Sequence, residues 1–303
     1  MELHSSRLRA RLEPAAGACL RSLHDLDSGT ELLFQSPWPT GPRPSPPADS
    51  DEWNRAWPGG WHPLFPNAGE PCEADRLAHG FHGEASIAIW DVVRQNGSSA
   101  GLRWRNGQGL EVARNVGLVE NVLAVTNAVV NHSDREAAFV FVEHVVLGPP
   151  LVGEGLRLHA AGGRLLPLSD SGEALVAPDE IDDWPFAHRD HDREDWSISG
   201  ATPFSRFGAL MDSPTHSVVA TNGPIQVRLD WSGNTLPHLW MWHENMESRG
   251  MPDGMAIRCL GLEPASVPNS LGLAAARESG QATTVPPDGS WQSEVRISVV
   301  VES

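Results

Sequence analysis

The chain contains no lysine and no tyrosine: all 22 of its basic side chains are arginine, and its large rings are 12 Trp and 8 Phe. Without lysine there is no Schiff base to a carbonyl substrate and no phosphate loop of the Gly-rich, Lys-ending kind. Cysteine is scarce as well. Cys19, Cys72 and Cys259 are odd in number and far apart, in neither a zinc-ligand spacing nor a disulfide framework. A reducing compartment suits them. Long apolar runs are missing, so no membrane span is expected, and the opening MELHSSRLRARLEPAAG lacks the apolar core of a signal peptide. A cytoplasmic protein is the expectation.

What is present narrows the class further. A formal net charge of −17 argues against nucleic acid, acidic membrane surfaces and strongly anionic substrates as partners. With 303 residues, 40% hydrophobic and 20% charged, the chain can bury a sizeable core. Trp supplies flat apolar surface against which a sugar ring can lie.

Period-two patterning dominates. Leu8, Ala10 and Leu12 alternate with Arg7, Arg9 and Arg11, and Pro14 to Gly17 turns the chain back. Strand-length runs follow at 110–114, 119–130, 137–147, 217–220, 225–231, 239–242, 255–262 and 294–301, bounded by turn residues such as Asn131 to Asp134. In the run 137–147, Val140, Val142 and His144 share one face, while Phe139, Phe141 and Glu143 share the other. Only Leu271 to Glu278 reads as a helix. The segment 36–60 is too rich in proline for regular structure and too rich in Trp for an idle linker, so it reads as a long surface loop at the rim of a site. With no internal repeat and no shift of composition, the expectation is one all-β domain over 1–303, a large antiparallel β-sandwich.

Four segments can carry chemistry. Glu263 ends the run GMAIRCLGLE with Pro264 closing the strand behind it. It is either a solvated loop carboxylate or a general base whose pKa burial has raised. His144, in the most apolar run, is either a satisfied core histidine or a proton donor tuned by burial. His79 and His82 lie on a turn-rich stretch. In LPHLWMWHEN, Trp240, Trp242 and Glu244 alternate onto one face, a stacking platform beside hydrogen-bonding groups. The run His188 to Asp195 has no ordered metal-ligand spacing and reads as a solvated acidic loop rather than a metallohydrolase centre.

The order of these pieces is more specific than any one of them: FPNAG and then HG, the strand pair VTNAVVNHSDREAAFVFVEHVVLG, LPHLWMWHEN, then LGLEPAS. Over nearly the whole chain it resembles the aldose 1-epimerase, or galactose mutarotase-like, family. The N-terminal LEPAAGACLRSLHDLDSGTELL is similar to that family's opening hairpin.

The resemblance implies a galactose mutarotase-like supersandwich with a sugar cleft, interconverting the α and β anomers of a free aldose with no cofactor and no metal. A base takes the anomeric hydroxyl proton while an acid protonates the ring oxygen; rotation and reclosure give the other anomer. By resemblance Glu263 is the base and His144 the acid, with His79 contacting the sugar and Trp242 near the ring; Trp240, read from the alternation alone, is either plain core or part of the substrate platform. The family's Asn-Arg pair is broken here, because Ala68 follows Asn67; Arg76 is the candidate replacement. The hydroxyl-holding Asp is open among Asp183, Asp195 and Asp230. The partner implied is a small-molecule sugar, and the chain a monomer or homodimer. A non-catalytic carbohydrate-binding protein on the same fold is the alternative, favoured by the broken pair.

Overall fold

A computed structural model describes residues 1–40, 47–189, 192–247 and 251–301. Two large antiparallel sheets face each other. In space, the first runs Glu2–His4, Leu8–Glu13, Cys19–Asp25, Trp61–Leu64, Val142–Leu147, Ile257–Ala265, His238–Glu247, Phe204–Met211, Arg164–Leu168 and Asp182–Asp183. Thr30–Glu31 pairs off this path as its eleventh strand. The eight-stranded second sheet runs from Arg157–Ala160 through Ser217–Asn222, Ile225–Trp231, Ser290–Val301, Val122–Asn131, Leu110–Val119 and Ser99–Arg105 to Asp91–Gln95. The expected all-β sandwich is therefore the observed fold.

Alternation builds the core between the sheets. Leu8, Ala10 and Leu12 are buried while the arginines between them reach solvent. With Leu20, Met241, Leu260 and Leu262 they meet Val112, Val125 and Ile297 of the second sheet. The opening hairpin turns at Gly17 with φ of +72°, where an added Cβ would lie 1.8 Å from the Ser86 carbonyl oxygen, so only glycine fits. One buried ion pair crosses this core: Arg114 Nη1 lies 2.7 Å from Glu143 Oε1, and Asn127 and Trp61 also donate to that carboxylate.

A second apolar cluster forms on the outer face of the eleven-stranded sheet. It joins Leu64, Val142, Val146 and Trp240 to Phe34 and to Trp38, Trp53 and Trp57, the last three from the proline-rich segment. That segment is not wholly irregular. Ser50–Ala56 is a seven-residue helix whose first turn is capped by the Asp49 side chain, accepting from the Glu52 amide at 2.9 Å. The prolines lie before it and after it, where they end a helix rather than break one. Residues 41–46 of the expected loop lie outside the described residues.

Two strand expectations change. Run 137–147 divides into Ala137–Phe139 and Val142–Leu147. The strand Ile257–Ala265 continues past Glu263, so Pro264 lies inside it rather than closing it. The expected helix is present as Gly272–Glu278. The acidic run forms a hairpin of Phe186–Arg189 and Asp192–Asp195, its residues 190 and 191 lying outside the described residues. Among the described residues no helix is long and apolar enough to cross a membrane.

Candidate active site

Strand register brings the two expected proton carriers together. Val142 pairs with Ala265 and Val146 with Gly261, which sets His144 opposite Glu263. Pro264, having no N–H to donate, occupies the open stretch of ladder between those pairs. On its other side His144 pairs with His62, and Glu263 pairs with Trp240. Successive side chains alternate between faces, so Trp240, Trp242 and Glu244 share the outer face with His144 and Glu263.

These side chains floor a cavity of about 250 Å³, walled by Trp53, Asn54 and Trp57 from the helix and its end, and by Phe81, His82, Asp170, Ser205 and Phe207. Pockets for drug-sized ligands run to roughly 300–1,000 Å³, so this one suits a small molecule. His144 Nε2 lies 3.6 Å from Glu263 Oε1, with the residues 4% and 2% exposed. Burial pushes the Glu263 carboxyl well above the usual carboxylate range and lowers the His144 imidazole to about 3. Burial thus works against the charged form of both groups.

The Glu263 carboxyl leans along its strand over Gly261. A Cβ added there would sit 2.3 Å from Glu263 Oε1, so glycine leaves the space the carboxyl occupies. Trp242 stands across from Gly261 in register, its ring stacked toward His144 with centroids 6.4 Å apart. Trp57 closes over both, 5.6 Å from His144 and 5.7 Å from Trp242. Trp240 lies deeper, its Nε1 donating to the Val267 carbonyl at 2.8 Å.

Three of the expected sugar-contacting residues lie away from the cavity. His79 is buried against Glu84, Nδ1 to Oε1 2.9 Å. Asn67 spends its amide on backbone: Nδ2 donates to the carbonyls of Glu70 and Gly80, and Oδ1 accepts from the Leu273 amide at 2.7 Å, tying loop to helix. Arg76 is exposed at a hairpin turn. No arginine lines the cavity among the described residues, and neither do Asp183, Asp195 or Asp230; Asp170 does.

The histidine that faces the site is His82. Its Nδ1 accepts from the Gly69 amide at 3.0 Å, which leaves the proton on Nε2, and its ring lies 5.4 Å from that of His144. Burial, and His144 beside it, lower its pKa well below the ordinary value. The sequence signals this residue only as the second His of HGFHG; its φ of +64° turns the chain there. Glu244 also lines the cavity, as does Asp170, so that with Glu263 the lining carries three carboxyl side chains among the described residues.

Sheets, register and cavity define a galactose mutarotase-like β-sandwich. Solved structures of that fold cover this chain end to end. A galactose mutarotase related enzyme from Lactobacillus acidophilus is 15% identical with a TM-score of 0.68, covering 100% of this chain and 99% of its own. The Slr1438 protein from Synechocystis sp. PCC 6803 is 17% identical with a TM-score of 0.70, over 100% and 96%. A protein described as a "Putative aldose 1-epimerase" from Escherichia coli K12 is 15% identical with a TM-score of 0.69, over 99% and 98%. At such identities the likeness carries the fold alone. The chain belongs to the family described as "Domain of unknown function (DUF4432)", whose model matches residues 105–299. No curated protein matches its sequence.

Proposed function

We propose that this chain is an aldose 1-epimerase, interconverting the anomers of an uncharged free aldose. The observation that carries the reading is the close pair, His144 Nε2 3.6 Å from Glu263 Oε1, on the floor of a Trp-lined cavity of small-molecule size. Ring opening needs one group to accept the anomeric proton and another to donate to the ring oxygen. Positioned side chains accelerate such transfers by about 10²–10⁴-fold. Glu263 acts as base and His144 as acid. Burial disfavours both charged forms, and the anomeric hydroxyl, donating to Glu263, supplies the hydrogen bond that favours its carboxylate. The proton that passes from Glu263 to His144 leaves a carboxylate that takes the anomeric proton while the imidazolium protonates the ring oxygen, and reclosure runs these transfers in reverse.

The broken Asn-Arg pair, with Ala68 after Asn67, favours a second reading, a sugar-binding protein without turnover. Anomer exchange of freshly dissolved aldoses, followed by polarimetry or NMR, separates the two. The expected result is exchange faster than in buffer. Glu263→Gln loses about 10²-fold or more of that rate while binding sugar nearly as well. Saturable binding by the wild type with unchanged relaxation means a binder, and normal turnover by the variant removes Glu263 as the base.

A further inference from the structure

We infer that Glu244 is the specificity-determining residue of this cavity, holding the sugar hydroxyl that lies across the ring from the anomeric carbon. The inference rests on the epimerase reading and deepens it.

Glu244 is 2% exposed, and its carboxyl is only half satisfied. Oε1 accepts from Ser205 Oγ at 2.7 Å and from Trp242 Nε1 at 2.8 Å, whereas Oε2 is buried with no hydrogen-bond partner among the described residues. A buried polar oxygen without a partner is costly and uncommon, and here it belongs to a side chain that lines the cavity. A ligand hydroxyl is the partner it lacks. The pair of bonds on Oε1 fixes the carboxyl in one orientation before any ligand arrives, which is how a site reads one position of a sugar rather than hydroxyls in general.

The geometry gives the distance scale. Glu244 is four residues along its strand from Trp240, the partner of Glu263, or roughly 13 Å at about 3.3 Å per residue. Both carboxyls lean inward from those ends: Glu263 over Gly261, Glu244 onto the Trp242 indole. Gly261 and Trp242 are themselves paired. Both carboxyls line one cavity with the Trp242 ring, and a pyranose there would have its anomeric end at His144 and its far edge at Glu244. Burial raises the Glu244 pKa to about 7, with Asp170 and Glu247 adding to the effect, so the group changes from donor to acceptor within the working pH range.

The test uses the full chain, wild type and Glu244→Gln, with D-glucose, D-galactose and their 4-deoxy and 6-deoxy analogues in the anomer-exchange assay. Wild type should turn over one deoxy analogue at least tenfold less well, in kcat/KM, than its parent sugar. Glu244→Gln should lose at least tenfold on the parent, chiefly through KM, and little on that analogue. The wild-type KM should also change with pH through about 7, and the variant KM should not. Equal losses on every sugar, or none, overturn the inference while leaving the epimerase reading intact. If wild type accelerates no sugar, that reading fails, and calorimetric binding of the same panel decides on Glu244 alone: a deoxy preference lost in the variant supports it. No preference, or no binding, overturns it.

Discussion

Replacing Glu244 by Gln should stabilise the protein, and by an amount that grows with pH. In the folded chain this carboxyl stays protonated until about pH 7 because it is buried, against an ordinary value of 4.5 in the unfolded chain. Below the lower value both states are protonated and the substitution changes little. Between the two values the unfolded chain ionises and the folded chain does not, so wild type loses stability as pH rises. Above about 7 the loss is complete: at about 1.36 kcal/mol per pH unit it reaches about 3 kcal/mol. Gln keeps an oxygen for Ser205 and Trp242 and carries no charge, so it escapes the whole term. Urea unfolding of both proteins at pH 4 and pH 8 measures it. The curves should nearly coincide at pH 4, and the variant should lead by about 3 kcal/mol at pH 8. A gap that is the same at both pH values, or a variant less stable at pH 8, would refute the argument that burial holds this carboxyl neutral.

Two more outcomes test the frame of the site. Gly261→Ala should fold, since Gly261 is not among the positive-φ glycines, yet lose at least tenfold in anomer exchange because its Cβ would enter the space of the Glu263 carboxyl; unchanged turnover would show that carboxyl placed elsewhere in solution. Arg114→Met should cost about 3–5 kcal/mol in urea unfolding by leaving Glu143 buried without its cation, and Arg114→Met with Glu143→Leu should recover most of it.

Much of this architecture is written in period two. The alternation at Leu8 to Leu12 and the two faces of the 137–147 run both appear in the fold as the pattern implies, because one face of each strand is buried in an apolar layer. The same logic sets Glu244 beside Trp242, since two residues along a strand always share a face. Loops obey no such period. Whether His79 or His82 faces the cavity depends on a positive φ at His82 and on a backbone amide brought from Gly69, neither of which leaves a pattern in HGFHG. The proline-rich segment hid a helix because Asp49 and the acidic first turn sit among residues that signal coil. Pro264 misled for a related reason. A proline reads as a strand end, yet here it falls where the ladder to the neighbouring strand is already open.

The remaining question is what keeps His144 in register with Glu263, given that open ladder. A slip of one residue would send His144 into the sandwich core and bring Glu143 to the cavity. Apolar neighbours resist that weakly, because Val142, Phe141 and Val145 suit either apolar layer. Glu143 does not. Its carboxylate is matched on the inner face by Arg114 and Asn127 of the opposite sheet and by Trp61 of the adjacent strand. A slipped strand would strand the Arg114 cation in the core without its partner, at a cost of several kcal/mol. A buried ion pair of this kind is a poor source of net stability and a good source of uniqueness. Glu143 sits next to His144 in the chain, so the charge that specifies the core also aims the imidazole at Glu263.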